Sequence, residues 1–293
     1  MPNIGFIGLG IMGLPMAVNL MQKGEPLQVT GFDVSGERRE LFAKAGGKTA
    51  SSVEEIAAAC DLIFLCLPKN ELVASVVATI LGEGRAGTVI VDTGSTATAL
   101  IQELAAKARA KGMELIDSPV SGGETGAIAG TLVLMSGGDR KVFDAVRPYL
   151  ARMGQSVTYM GASGCGSATK IVNNMLVGIH LAALGEAFCF ARKAGLDVET
   201  LFQAIRSGFA GSAVMDIKAP RLINRDYSAS ARTAVHQKDL NNAKDLAAHL
   251  GVDIPLSMTV LDYMNQLEAM GKADEDHCAV ARIYEKAMGL FED

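Results

Sequence analysis

The chain has 293 residues, of which 49% are hydrophobic, so it is long enough for two domains with sizeable cores. Its 27 Lys and Arg against 32 Asp and Glu give a formal net charge of −5, and with no basic block this argues against nucleic-acid binding. The five cysteines have no paired spacing and predict reduced thiols rather than a disulfide framework.

The N-terminal half alternates short apolar runs with helix-period stretches. A strand pattern begins within three residues of the start, which leaves no room for a signal peptide and predicts a cytoplasmic protein. The predicted strands are NIGFIGLG, LQVTGFD, AACDLIFLCLP, AGTVIVDTG, MELIDSPV, LVLMSGG and SVTYMG. Helical stretches separate most of them, which is typical of βαβ units and a mostly parallel sheet.

After about Gly161 the strand pattern stops and only helices are predicted, at 165–193, 197–207, 213–224, 236–250, 256–270 and 276–289. We therefore expect a Rossmann-type α/β domain over residues 1–163 and an all-α domain over residues 164–293. The segment 165–191 is apolar enough for a membrane span, but it contains Lys170, two asparagines, a histidine and a glutamate. These groups favour a helix buried inside a soluble protein, with no membrane association.

The N-terminus contains a dinucleotide fingerprint in GFIGLGIMGLPMAVNL. Gly8, Gly10 and Gly13 form a G-x-G-x-x-G between a predicted strand and a predicted helix, and Asp33 follows 20 residues later at the end of the next strand. Glycines permit close approach of a pyrophosphate, and the acid accepts hydrogen bonds from ribose hydroxyls. The intervening Ile11 and Met12 are expected to lie beside the cofactor.

Asp33 also bears on the choice of cofactor, because a carboxylate repels a ribose 2′-phosphate. We therefore predict NAD, with NADP possible through Arg38 or Arg39, which are predicted to be exposed positions of the second helix. Ligands of parallel sheets bind outside the carboxyl ends of the strands. The segments LCLP, with Leu67 and Pro68, and DTGST, with Ser95, are therefore further candidates for cofactor contacts.

Two polar features stand beside apolar segments. Lys170 and Asn174 are one helical turn apart, and an ammonium group there requires either an exposed shoulder or a wet cavity. Ser121, Gly122 and Gly123 directly follow a predicted strand. They form either a flexible turn or a loop whose backbone N–H groups bind an anion such as a carboxylate. The residues alone leave both pairs of alternatives open.

The sequence resembles the β-hydroxyacid dehydrogenases of the 3-hydroxyisobutyrate dehydrogenase family over nearly its whole length. Four stretches in order carry the resemblance: GFIGLGIMGLPMAVNL, DSPVSGGETGAIAGTL, GSATKIVNN and HQKDLNNA. FAGSAVMDIKAP and DHCAVARIYEK are similar to members that reduce tartronate semialdehyde. The family pattern differs at DTGST, where Gly94 replaces the first hydroxyl residue before Ser95.

The resemblance implies roles for individual residues. Lys170 corresponds to the family's catalytic lysine, and Asn174 to the amide that holds substrate and lysine. Ser121, Gly122 and Gly123 correspond to the substrate-binding loop, and Lys238 to a lysine beside nicotinamide and substrate. Ser212 is a further candidate for a substrate hydroxyl. The lysine is then expected at the head of a buried helix that opens into an interdomain cleft.

The resemblance implies NAD(H)-dependent reduction of a short aldehyde-carboxylate, with tartronate semialdehyde to glycerate the first choice. The alternatives are 3-hydroxyisobutyrate, L-threonate or succinic semialdehyde as substrate and, outside enzymes, a dinucleotide-sensing protein. A homodimer or homotetramer is expected. The four histidines lack metal-ligand spacing and are interpreted as structural, so no metal is expected.

Overall fold

The computed structural model describes residues 1–290, and the chain divides into two compact units. The first unit is Met1–Lys170 and the second begins at Ile171. The division falls inside one continuous helix, Cys165–Lys193. An α/β Rossmann-type unit is followed by a helical one, which confirms the predicted fold class.

Nine strands form one sheet in the first unit. They are β1 Ile4–Ile7, β2 Val29–Phe32, β3 Lys48–Thr49, β4 Leu62–Leu65, β5 Val89–Asp92, β6 Glu114–Asp117, β7 Val120–Ser121, β8 Leu132–Gly137 and β9 Gly154–Gly161. The strand order is β3-β2-β1-β4-β5-β6-β8-β7, with β9 paired to β8. Strands β1 to β6 are mutually parallel, whereas β8 runs antiparallel to β6 and β7. The order reverses between β1 and β4, where ligands of such sheets bind.

Seven helices accompany the sheet before the division. They are α1 Gly13–Gln22, α2 Gly36–Lys44, α3 Val53–Ala59, α4 Asn70–Glu83, α5 Thr98–Ala110, α6 Gly123–Ala129 and α7 Arg140–Leu150. Alternate strand residues enter two apolar clusters, because side chains of a strand point to opposite faces. Phe6 and Phe64 lie in one cluster, and Ile63 and Leu65 in the other.

The second unit is built from helices. After α8, Cys165–Lys193, come α9 Val198–Ile205, α10 Ala213–Asn224, α11 Thr233–Leu250, α12 Pro255–Ala269, a 3-10 turn His277–Val280 and α13 Ala281–Ala287. The first five predicted helices are present, with ends within three residues of the prediction, whereas the predicted helix 276–289 is a 3-10 turn followed by the shorter α13. Leu181, Leu184 and Phe188 of α8 are buried in this unit's core with side chains of the later helices.

Helix α8 is, among the described residues, the one helix with the length and apolarity of a membrane span. Half of its most apolar stretch is buried inside the protein. Leu181 and Phe188 are at most 1% exposed. The apolar side chains of α8 are therefore explained by its place in the core of the second unit.

The structure adds short elements to those predicted. β3 and α3 lie between the second predicted helix and the strand LIFL, and both are too short to show a clear period. The glycine-rich stretch after β6 is partly regular, since β7 pairs with β8 and α6 begins at Gly123. Gly130 ends α6 in the left-handed conformation, with a φ of 62°.

Candidate active site

The three glycines of the fingerprint loop have different surroundings. Gly8 and Gly13 pack closely against backbone atoms, whereas Gly10 faces open space. A Cβ on Gly8, which has a φ of +96°, would lie 2.3 Å from the carbonyl oxygen of Cys66. A Cβ on Gly13 would lie 1.9 Å from the carbonyl oxygen of Gly8. A Cβ on Gly10 would meet nothing within 4 Å. This arrangement fits a pyrophosphate lying against the backbone near Gly10.

Asp33 lies at the end of β2 and is held against the same loop. Its Oδ2 accepts a hydrogen bond from the Leu9 N–H at 2.7 Å, and its Oδ1 accepts one from the Ser35 N–H at 2.8 Å. The carboxylate is half-buried. It therefore sits beside the glycine loop, where a ribose of a bound dinucleotide is expected.

Arg38 and Arg39 are half-buried, so the prediction that they are exposed was wrong. Arg39 Nη1 donates to the Asp33 carbonyl oxygen, and its guanidinium lies 5.8 Å from the ring centre of Phe32. Arg39 therefore packs against β2, because its planar guanidinium both lies over the Phe32 ring and donates to the Asp33 carbonyl oxygen.

The remaining cofactor candidates follow strands of the same sheet edge. Leu67 and Pro68 follow β4, and Ser95 follows β5. Because β1, β2, β4 and β5 are parallel neighbours, their carboxyl ends meet at one edge. Leu67 and Ser95 are half-buried and Pro68 is exposed. Ile11 is 56% exposed, and the half-buried Met12 immediately precedes α1.

The predicted substrate loop connects β7 to α6. Ser121 ends β7 and is half-buried, whereas Gly122 and Gly123 are exposed. Gly122 and Gly123 have φ values of 133° and 61°, in the region that favours glycine. A Cβ on Gly123 would meet nothing within 4 Å, so its backbone is approachable from solvent.

Lys170 lies in the second turn of α8, and a buried carboxylate fixes the first turn. Asp117, at the end of β6, accepts hydrogen bonds from the N–H of Gly164 at 2.9 Å and of Ser167 at 2.8 Å. Burial raises the pKa of Asp117 above its ordinary value, against the lowering effect of these hydrogen bonds. Since Ser167 precedes Lys170 by one turn, Asp117 helps to set where the half-buried lysine lies.

Asn174 is buried and its amide is held from two sides. Its Nδ2 donates to Asp239 Oδ2 at 2.6 Å, and its Oδ1 accepts from Asn173 Nδ2 at 2.9 Å. Lys238 Nζ lies 3.1 Å from Asp239 Oδ1. The structure thus brings the predicted residues Asn174 and Lys238 to one carboxylate on α11.

A pair of buried histidines lies behind Asn174. His236 Nε2 is 2.9 Å from the Asn174 carbonyl oxygen, and His236 Nδ1 is 2.8 Å from His277 Nδ1. Because the carbonyl oxygen only accepts, a neutral His236 carries its proton on Nε2 and accepts from His277 at Nδ1. Burial and the neighbouring His236 lower the pKa of His277 well below its ordinary value. In this pair His277 therefore donates to His236, and His236 donates to the Asn174 carbonyl oxygen in the backbone of α8.

A buried ion pair joins Lys218 to Asp276, the residue that directly precedes His277 in sequence. Lys218 Nζ lies 2.8 Å and 2.9 Å from the two carboxylate oxygens of Asp276, which also accepts from Ser230. Burial alone would raise the pKa of Asp276, but His277, Lys218 and Ser230 hold it far below its ordinary value. Ser212 is the N-cap of α10, where its Oγ accepts from the Met215 N–H at 3.0 Å.

The described residues contain no group of three or more His, Cys, Asp or Glu side chains that could hold a metal ion. All five cysteines are free thiols. Burial raises the pKa of Cys66, which follows β4, to about 11. It is therefore a neutral thiol near pH 7.

The fold and the fingerprint loop define an NAD(P)-dependent oxidoreductase. Residues 3–161 match the family model described as the NAD binding domain of 6-phosphogluconate dehydrogenase. Residues 164–284 match the one described as NAD-binding of NADP-dependent 3-hydroxyisobutyrate dehydrogenase. The chain belongs to the 3-hydroxyisobutyrate dehydrogenase family of hydroxyacid dehydrogenases.

Individual relatives span almost the whole chain. The 2-hydroxy-3-oxopropionate reductase of Escherichia coli (strain K12) is 35% identical, over 97% of each chain. The 2-(hydroxymethyl)glutarate dehydrogenase of Eubacterium barkeri is also 35% identical, over 98% of this chain and 96% of that protein. The structure of the Mycobacterium tuberculosis 3-hydroxyisobutyrate dehydrogenase with L-serine matches with a TM-score of 0.88 at 33% identity, covering 97% of this chain and 99% of that one.

Several residues around the predicted site were not identified from the sequence. Asp239 directly follows Lys238 within HQKDLNNA, and this position next to a predicted site lysine was the available signal. His236 and His277 were interpreted as structural residues, and their pairing across 41 positions of sequence was not predicted. Asp117 carried no signal beyond its place at a strand end.

Proposed function

We propose that this chain reduces a short aldehyde-carboxylate, tartronate semialdehyde, to glycerate, with Lys170 as general acid and, in reverse, general base. The observation that carries the proposal is the spacing of Lys170 and Asn174 by one turn of α8. The Asn174 amide is fixed by Asp239 and Asn173. A proton donor and a fixed amide one turn apart suit a carbonyl that becomes an alkoxide and then an alcohol.

The chain's own groups account for the polar steps of this reaction. A bound nicotinamide cofactor supplies the hydride. The carbonyl oxygen gains negative charge as its carbon is reduced, and the Lys170 ammonium stabilises that charge and donates the proton that completes the hydroxyl group. Asn174 is proposed to hold the substrate hydroxyl or the lysine, and Lys238 to contact cofactor and substrate.

The substrate carboxylate is proposed to bind at Ser121, Gly122 and Gly123. The two glycines are exposed, and the left-handed Gly123 backbone has open space on the side where a Cβ would stand. Backbone N–H groups and a hydroxyl suit a carboxylate. Ser212 is a weaker candidate for a substrate hydroxyl, because its Oγ already caps α10.

NAD is proposed as the preferred cofactor. The Asp33 carboxylate stands beside the glycine loop, where its charge would repel a 2′-phosphate. The proposed contacts are Gly8, Gly10, Ile11, Met12, Gly13, Asp33, Leu67, Pro68, Ser95 and Lys238. We expect Asp33→Ser to narrow the ratio of NADH to NADPH affinity by about tenfold. A wild-type preference for NADPH would instead assign the phosphate to Arg38 or Arg39.

The substrate class can be tested with two aldehydes. The kcat/KM for tartronate semialdehyde and for methylmalonate semialdehyde is measured with NADH and with NADPH. A site that hydrogen-bonds a 2-hydroxyl rejects an analogue without it by up to about 10⁴-fold, so the methyl compound is expected to react much more slowly. Equal values, or a preference for the methyl compound, would move the assignment to 3-hydroxyisobutyrate. NADH binding without turnover of any short semialdehyde would indicate a dinucleotide sensor.

We further propose a functional boundary after residue 163 and a homodimer or homotetramer in the cytoplasm. The described second unit has exposed apolar side chains on α8, namely Val172, Leu176 and Phe190, each more than half exposed. Val172 and Leu176 are neighbours one turn apart, and contiguous exposed apolar side chains of this kind mark contact surfaces. Light scattering on the purified chain measures the assembly size, and a monomer would contradict the proposal.

A further inference from the structure

Helix α6, which follows the proposed substrate loop, is held at its C-terminal end by Asn19 of α1 and by Lys23, the residue that directly follows α1. Asn19 Nδ2 donates to the carbonyl oxygens of Ala127 at 2.7 Å and Ile128 at 3.3 Å. Lys23 Nζ donates to those of Ala129 at 3.2 Å and Gly130 at 2.7 Å. The last carbonyls of a helix lack partners within it, and here the carbonyls of Ala127, Ile128, Ala129 and the C-cap Gly130 receive donors from Asn19 and Lys23.

Gly130 is required for this contact. It has a φ of +62°, and a Cβ there would lie 2.1 Å from Lys23 Nζ and 3.1 Å from Asn19 Cγ. A side chain there would therefore strain the backbone and displace the Lys23 ammonium group, and it would press lightly on the Asn19 amide. The close approach of α1 and α6 is thus built around a glycine that ends α6.

The contact bears on the substrate loop because α6 is short. α6 has 7 residues and so is roughly 10 Å long, and a tilt at its C-terminal end moves Gly123 at its start. On the other side of the loop, β7 is fixed by pairing Val120 with Leu134 and Ser121 with Val133 of β8. Gly122 and Gly123 lie between these two attachments, and both are exposed.

Helix α1 begins in the fingerprint loop at Gly13 and ends at Gln22, next to Lys23. We propose that Asn19 and Lys23 are positioning residues that fix the Ser121-Gly122-Gly123 loop relative to the cofactor loop. This inference rests on the proposed role of that loop in binding the substrate carboxylate. Neither side chain touches substrate or cofactor in this scheme, and both act through the carbonyls of α6.

The test removes the donors while preserving side-chain shape. Asn19→Asp presents an acceptor to the carbonyl oxygens, and Lys23→Met keeps the stem without the ammonium group. Gln22→Ala is the matched control, because Gln22 lies on the same helix and donates to the Ala45 carbonyl oxygen at 3.0 Å. Lys23→Arg keeps a donor and is the rescue variant.

Three quantities are measured: KM and kcat for tartronate semialdehyde, the Kd of NADH by fluorescence titration, and hydrogen exchange of the amides of residues 122–130. In Asn19→Asp/Lys23→Met we expect KM and the exchange rates to rise about tenfold. The Kd of NADH should stay within about twofold, since the donors lie at the far end of α1 from the fingerprint. Gln22→Ala and Lys23→Arg should resemble the wild type.

Unchanged exchange and KM in the double variant would overturn the proposal, as would a loss of NADH affinity equal to the rise in KM. If the wild type does not reduce tartronate semialdehyde, the proposed function fails by itself. The exchange comparison still decides whether the two side chains hold the loop, and KM is then measured with the semialdehyde that the wild type does reduce.

Discussion

The two units hold their candidate residues by different means. In the first unit the fingerprint glycines, Asp33 and the residues after β4 and β5 occupy strand ends, so the backbone of the sheet places them. In the second unit Asn174 is placed by Asp239 and by His236, which are 65 and 62 positions away in sequence. Each strand-end motif can be recognised from a short stretch of sequence. The side-chain network, in contrast, forms only after distant helices have packed.

The electrostatic character of the units differs in the same way. The Arg85–Asp61 ion pair of the first unit has side chains that are 54% and 41% exposed. The Lys218–Asp276 pair of the second unit is 8% and 0% exposed. Buried pairs are costly to break because one partner is left as an uncompensated charge. The second unit therefore depends on the Lys218–Asp276 pair more than the first unit depends on its exposed Arg85–Asp61 pair.

Lys170→Ala is expected to have the largest effect. It removes the proposed proton donor and should lower kcat by about 10²–10⁴. The Kd of NADH should be retained, because the fingerprint is untouched. Steady-state kinetics and fluorescence titration measure the two quantities, with Lys193→Ala at the exposed end of the same helix as control. A near-normal kcat in a folded variant would remove Lys170 from the mechanism.

Asp276→Ala tests the buried pair. It leaves the Lys218 ammonium group buried without its carboxylate, and the free energy of unfolding should fall by about 3–5 kcal/mol. Asp61→Ala breaks the exposed pair of the first unit and should cost about 1 kcal/mol or less. Denaturant unfolding measures both. Equal losses would show that the two units do not differ in this respect.

Two glycine substitutions test how the backbone places the cofactor loop. Gly13→Ala forces a Cβ onto the Gly8 carbonyl oxygen and should cost roughly 1–3 kcal/mol of stability. Gly10→Ala meets nothing, so stability should change by less than about 1 kcal/mol. Its methyl group nevertheless occupies the space proposed for pyrophosphate, and NADH affinity should fall at least about tenfold. Normal NADH binding by Gly10→Ala would place the cofactor elsewhere.

The pH dependence of stability should also differ between the two units, with a smaller effect. The pKa of His277 is lowered in the fold, so below about pH 6.5 the unfolded chain takes up a proton that the folded chain does not, and stability falls. The raised pKa of Asp117 acts with the opposite sign, since its folded form binds the proton more readily and gains stability as pH falls.

Between pH 7.5 and pH 5, the free energy of unfolding should fall by about 2 kcal/mol because of His277. Unfolding of the wild type and of His277→Asn at both pH values measures it, and the variant should lose less. A variant with the same pH dependence as the wild type would assign the loss to other groups.

The strands and long helices could be predicted because their apolar periods extend over enough residues to be distinct. β3 and α3 were missed because two and seven residues hardly show a period. The sequence Ser52-x-x-Glu55 was nevertheless a capping signal, and Ser52 does accept from the Glu55 N–H. The start of α6 at Gly123 was hidden by its glycines, which are typical of turns.

The sequence by itself determined the alternation of strands and helices, the fingerprint with Asp33, and the spacing of Lys170 and Asn174. These features depend on neighbours within one or two turns or strands. Only the tertiary structure decided the partners of the side chains: Asp239 for Asn174, His277 for His236, and the carbonyls of α6 for Asn19 and Lys23. The physical reason is that hydrogen bonds and buried charges are satisfied by whichever groups packing brings within about 3 Å, and local sequence carries no record of that packing.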